Sequence, residues 1–248
     1  MANTSKYIPF DIVAPIILEN TEYPEYPFFS GTGFFVYFPP YEDIYFVTAK
    51  HCMLNNDDTK KGEIKIPYVQ GNHLAIQFSE CFLTKEHEDE VEFEDVIVLK
   101  VSDSDSKNHE LLKRRSIRLQ HQNYVNSIIT NTIKCKENIR LVGFPSVSKE
   151  LDYDKKQAVA QPRGFYGKIS DESTLIHRYK INNLSWVEEN LDGYSGSPIL
   201  SLQASLNSSE VTPVVVGVLL TGTPSCAEFI SINVVTNLIV VSLVKANE

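Results

Sequence analysis

Short runs of β-branched and aromatic residues recur between turn signals, and they limit what this chain can fold into more than any other feature. They are Gly33–Phe38, Ile44–Thr48, Leu74–Phe78, Val96–Val101, Ile139–Gly143, Gly167–Ser170, Val214–Thr221 and Phe229–Ile232. Runs of this length and composition suit pleated surfaces buried on one or both faces. Nothing comparable reads as a helix until the C-terminus. There Val235, Leu238, Ile239, Ser242 and Leu243 repeat at helical spacing, with Asn233 or Thr236 as the cap. The expectation is an all-β protein closed by one C-terminal α-helix. The least apolar stretch, Asp103 to Gln122, reads as the connection between two halves.

Composition narrows the class. With 248 residues, 42% of them hydrophobic, the chain can build a sizeable core, and neither Pro nor Gly is in excess. Acidic residues outnumber basic ones by 32 to 23, a net charge of −9. Such a surface repels phosphate backbones, so nucleic acid is not an expected partner. The first thirty residues hold one lysine and no unbroken apolar core of a secretory signal. The apolar stretch from Ile232 to Val244 is about 13 residues, where a membrane-spanning helix needs about 20, so no membrane segment is expected. Cys52, Cys81, Cys135 and Cys226 are scattered, with no Cys-x-x-Cys pair and no Cys/His cluster at metal-ligand spacing. Reduced thiols, a cytoplasmic location and no metal or cofactor are the resulting expectations. The acidic run Glu86–Asp95 has the wrong spacing for an EF-hand and reads as a solvated loop.

Three local signals carry chemistry. The first, Phe46-Val47-Thr48-Ala49-Lys50-His51-Cys52, is an apolar strand running into a small-residue turn and a histidine. The second is Asp95 opening Val96-Ile97-Val98-Leu99, and the third is Asp192-Gly193-Tyr194-Ser195-Gly196-Ser197-Pro198. Each has an ordinary structural reading: a histidine at a strand end, an acid at a strand start, a Gly-Ser-Pro turn. Together they supply what acyl transfer requires. A serine hydroxyl is a poor nucleophile until an imidazole removes its proton, and the imidazole needs a carboxylate to fix its tautomer. His51, Asp95 and Ser195 can fill those roles. Gly193 lets the chain turn so that its N–H and that of Ser195 aim at one developing oxyanion, and Gly196 leaves room for substrate.

In order and spacing these segments resemble the trypsin/chymotrypsin-like serine proteases. Asp95 lies 44 positions after His51, and Ser195 lies 100 after Asp95. Gly31-Thr32-Gly33-Phe34-Phe35-Val36 is similar to the family strand preceding the histidine. Leu141-Val142-Gly143-Phe144-Pro145 and Gly167-Lys168-Ile169-Ser170 look like second-barrel strands of the bacterial HtrA-like branch. The resemblance spans about residues 30 to 245. It implies two packed six-stranded β-barrels with a C-terminal helix, in one peptidase domain over residues 1–248 that divides near residue 120. It also implies a serine endopeptidase acting through an acyl-enzyme on a polypeptide substrate, with His51, Asp95 and Ser195 catalytic and Gly193 and Ser195 forming the oxyanion hole. Glu189 would sit at the base of the specificity pocket and Thr221 and Gly222 on its wall, leaving a slot that tilts toward basic side chains over small apolar ones.

The sequence departs from that family in three ways. The cysteines that would pair with Cys52, Cys135 and Cys226 are missing, which implies free thiols. Tyr194 stands where secreted members carry the aspartate that binds a processed N-terminus. Leu219-Leu220-Thr221-Gly222 replaces a segment that in many members offers a serine to the buried aspartate, leaving the support of Asp95 open. Two rival readings stay open beside the free enzyme: a catalytically silent protein-binding module of the same fold, and a protease effector gated by a regulatory partner in bacterial defence or signalling.

Overall fold

A computed structural model describes residues 10–20, 22–68, 75–83, 95–102, 106–154, 157–170, 175–186, 190–204 and 211–245. Its elements are β1 (Val13–Glu19), β2 (Phe28–Tyr37), β3 (Ile44–Ala49), β4 (Glu63–Lys65), β5 (Phe78–Leu83), β6 (Val96–Val101), α1 (Ser106–Arg114), β7 (Ser116–Arg118), α2 (Gln122–Cys135) and β8 (Ile139–Gly143). They continue with β9 (Lys149–Asp152), β10 (Gln157–Ala160), β11 (Arg163–Ile169), β12 (Arg178–Asn182), β13 (Pro198–Ala204), β14 (Val211–Gly222), β15 (Cys226–Ser231) and α3 (Ile232–Lys245).

The strands form two large sheets. In the first, the order is β4-β1-β2-β3-β6-β5, with β7 added parallel to β2. In the second, β11-β12-β15-β14-β13-β8 closes into a six-stranded barrel, and β9 and β10 form a separate hairpin. The expected double-barrel shape is present coarsely, with one correction: the first sheet curls but is not closed among the described residues, because β4 and β5 do not pair. α3 packs against β5 and β6 of the first sheet and β14 and β15 of the second.

Burial follows the patterning. All six residues of β3 are buried, as befits a central strand between β2 and β6. Phe35 and Phe46 meet across the β2–β3 pair at 5.1 Å between ring centroids. Pro15 lies inside β1 without cost to the ladder, since β4 pairs only with Ile17, Leu18 and Glu19 and leaves that edge of β1 open at Pro15.

Two helices precede the terminal one, contrary to the sequence expectation. The segment read as a connection contains α1 and β7, and α2 begins at its end. α2 buries Val125, Ile128, Ile129 and Thr132, a stripe at helical spacing diluted by Asn, Ser and Thr. It ends at Lys136, whose φ of 53° is left-handed and whose N–H bonds back to Ile133 and Thr132. Asn233 and Thr236 do not cap α3; both lie within it. The Asn233 amide donates to Asn126 of α2, and the Thr236 hydroxyl to the carbonyl of Ile232.

Candidate active site

Sheet register brings the first two site residues together. β3 and β6 pair antiparallel with Ala49 opposite Val96, so the residues leaving β3 and those entering β6 emerge at one edge. The ladder continues one step further, with the Lys50 N–H donating to the Asp95 carbonyl at 3.2 Å. Beyond it the Asp95 carboxylate grips His51 twice: Oδ1 accepts the His51 backbone N–H at 2.9 Å, and Oδ2 lies 2.5 Å from His51 Nδ1. This settles how Asp95 is supported without a serine from the β14 strand: the His51 main chain does it. With Nδ1 held by a carboxylate, Nε2 is the nitrogen left to exchange protons. The hydrogen bond to Asp95, and secondarily the Cys52 contact, push the His51 pKa up to about 10 against the opposing effect of burial.

Ser195 lies in the turn that leads into β13 of the second sheet. Gly196 N–H donates to the Leu219 carbonyl at 2.7 Å and Leu219 N–H to that of Ser197 at 2.9 Å, extending the β13–β14 pairing back toward the Ser195 turn. The turn needs glycine at both flanks. Gly193 has φ +88° and Gly196 φ +84°, and a Cβ at Gly196 would come within 2.1 Å of the Thr32 carbonyl. Tyr194 is buried with its ring edge-on to Phe165 at 5.0 Å and to Trp186 at 5.1 Å. An aromatic anchor therefore stands immediately before Ser195.

Thr32 joins the two sheets, and no motif had singled it out. Its N–H donates to the Ser195 carbonyl at 2.9 Å, its hydroxyl donates to the Gly193 carbonyl at 2.7 Å, and the same oxygen accepts from the Phe144 N–H at 2.9 Å. Thr48 adds a hydroxyl hydrogen bond to the Thr32 carbonyl at 2.7 Å. Both threonines are fully buried. A buried Thr beside the small residues of Gly31-Thr32-Gly33 was the available signal, but its partners come from distant parts of the chain.

The Ser195 hydroxyl donates to the Leu220 carbonyl at 2.9 Å, and among the described residues no hydrogen bond joins it to His51. Leu220 is available because β14 bulges there: Leu219 pairs with Phe229 and Thr221 with Glu228, leaving Leu220 without an opposite residue on β15. The backbone N–H groups of Gly193 and Ser195 make no hydrogen bond among the described residues, whereas those of Tyr194, Gly196 and Ser197 all do.

The remaining sequence candidates divide. Glu189 lies outside the described residues, as does the acidic run up to Glu94. Thr221 is exposed at the end of β14, and a Cβ at Gly222 would lie 2.6 Å from the Leu191 side chain, so Leu191 covers that face. The four cysteines are unpaired, Cys52 buried with its thiol 3.5 Å from the Ser195 carbonyl. Among the described residues no three His, Cys, Asp or Glu side chains cluster as a metal site, and no helix is long and apolar enough to cross a membrane. No protein-family model matches the chain, and no curated protein sequence matches it.

Proposed function

We propose that this protein is a serine endopeptidase that cleaves polypeptides through an acyl-enzyme. The observation that carries the reading is the double grip of Asp95 on His51, which fixes one ring nitrogen and leaves the other for proton transfer. In the proposed reaction, neutral His51 takes the Ser195 proton as Oγ attacks the substrate carbonyl, and the N–H groups of Gly193 and Ser195 receive the oxyanion. His51 then gives that proton to the departing amine. Water, deprotonated by His51 in its turn, releases the acid and restores the serine. These two N–H groups, unengaged among the described residues, support the oxyanion role, since a donor already committed within the chain could not serve.

A second feature favours the gated form of this reading. At rest, Ser195 Oγ is bonded to Leu220 and His51 favours its protonated form, so the nucleophile and base are each one step from readiness. Breaking one hydrogen bond costs about 0.5–1.5 kcal/mol, a small barrier that substrate or a partner protein can supply. A serine-directed fluorophosphonate tests both forms. A stoichiometric adduct on the wild type and none on Ser195→Ala is expected, formed slowly alone and faster with a polypeptide ligand bound. A wild type that never labels, in a folded preparation, would favour the silent binding module.

A further inference from the structure

The proposed chemistry leaves one charged group at the sheet junction unused. Lys149, the first residue of β9, is partly buried, and its Nζ stands beside the nucleophile turn: a Cβ built on Gly193 would lie 2.7 Å from it. Its hydrogen bond among the described residues is a long one, 3.4 Å to the Gly31 carbonyl, and the Phe29 ring centroid is 5.5 Å away. The lysines beside His51 are engaged. Lys50 pairs with Asp58 at 2.7 Å, and Lys61 donates to the His51 carbonyl at 2.6 Å. Lys149 has no carboxylate partner among the described residues.

An ammonium has three donors and no acceptor. One long bond to a carbonyl and an aromatic face return only part of what it loses when water is displaced. A carboxylate brought by a ligand would supply the rest. The position beside Gly193 says which ligand, for a peptide whose reacting carbonyl faces the Gly193 and Ser195 N–H groups carries its adjoining side chains past Nζ. We infer that Lys149 is a specificity-determining residue that pairs with an aspartate or glutamate side chain of the substrate next to the scissile bond. The inference rests on the endopeptidase reading above. Burial lowers the Lys149 pKa to about 8, with Cys52, among the described residues, acting on it in the opposite sense. From β2 it faces only the Gly31 carbonyl and the Phe29 ring, and from the nucleophile turn the backbone of Gly193.

Internally quenched peptides that differ by one Asp/Asn or Glu/Gln exchange, at each position around the cut, test the assignment. In the wild type one position should favour the acid over its amide by about tenfold in kcat/KM. The preference should survive in Lys149→Arg, vanish in Lys149→Met and Lys149→Gln, and turn toward basic side chains in Lys149→Glu. It should fade above pH 8 in the wild type but not in Lys149→Arg. An acid preference that persists in the folded Met or Gln variants, or an equal slowing of every peptide, overturns the inference. A wild type that cleaves without preferring acids overturns the inference alone, while one that neither labels nor cleaves overturns the endopeptidase reading with it.

Discussion

His51 and Asp95 meet at the edge of one sheet, through the pairing of two adjacent strands, whereas Ser195 lies across the junction with the other sheet and turns its hydroxyl to Leu220. The first arrangement is set by backbone register: with Ala49 opposite Val96, His51 and Asp95 have little choice of neighbour. The second depends on single side chains, Thr32 and Thr48, and on glycines at positive φ. The half fixed by register has its side chains engaged with each other. The half fixed by side chains holds its backbone firmly and leaves the Ser195 hydroxyl turned to Leu220. A ladder of backbone bonds is harder to alter than a rotamer, so regulation of this site should act on the serine side.

Substitutions can break that contrast, and the largest effects belong to the proposed chemistry itself. Ser195→Ala and His51→Ala should each lower kcat by on the order of 10⁵–10⁶, and the double variant by little more, because the pair acts as a unit. Asp95→Asn should cost on the order of 10⁴ by holding the imidazole in the wrong tautomer. Near wild-type turnover in any of these purified variants would remove the residue from the reaction.

On the junction side, Gly193→Ala forces a side chain onto a φ of +88° and within 2.5 Å of the Phe144 carbonyl. Re-aiming that amide should reduce kcat about 10²–10³-fold. Thr32→Val keeps the shape but leaves the Phe144 N–H and the Gly193 carbonyl unpaired, which should cost about 1–3 kcal/mol of stability in denaturant titrations. If Thr32→Val were neutral in stability and rate, the junction would not be held as described.

Titration sharpens the comparison at smaller amplitude. His51 has its pKa raised in the folded state, so its contact with Asp95 stabilises the fold fully below pH 6.5, and that contribution is lost as pH rises through about 10. The stability difference between the wild type and His51→Gln should shrink across that window. It should be modest, since the ring is 43% exposed and solvent screens the pair. The same shift moves the rising limb of kcat/KM above about pH 6.5, where an unperturbed histidine would place it. A limb at 6.5 would mean that the resting pair does not govern the reacting one.

Lys149 should give the smallest effect, with the opposite sign. Its pKa is lowered by burial, so the charged form destabilises the fold below about pH 8, and stability recovers as pH rises from there toward 10.5. Lys149→Met should therefore melt above the wild type at pH 7, with the gap closing by pH 10. A gap independent of pH would assign the difference to packing.

Much of the scaffold was legible because hydrophobic burial writes itself into local pattern. Val96–Val101 and Ile139–Gly143 coincide with β6 and β8, and the terminal helix buries Val235 and Ile239 as its periodicity requires. α1 and α2 escaped notice for a physical reason: α1 buries Leu112 and little else, and the apolar stripe of α2 is interrupted by residues that locally favour turns. β1 and β13 were missed beside their prolines, which the sheet tolerates because Pro15 lies where β1 has an open edge and Pro198 opens its strand.

What the sequence determined by itself was the pattern of strands, the terminal helix, and the order of a histidine, an aspartate and a serine in turn-forming contexts. Those follow from forces that act over a few residues: side-chain periodicity, φ/ψ preference and turn chemistry. Only the tertiary structure decided that Asp95 is braced by the His51 main chain, that Thr32 ties the Ser195 turn to the first sheet, and that, among the described residues, the first sheet stays open and Lys149 stands beside Gly193 without a counter-ion. Each of those depends on groups brought together from far along the chain, Thr32 and Gly193 being 161 positions apart. Hydrogen bonds and charges are satisfied by whatever lies within about 3 Å in space, and nothing in the neighbouring sequence records what that will be.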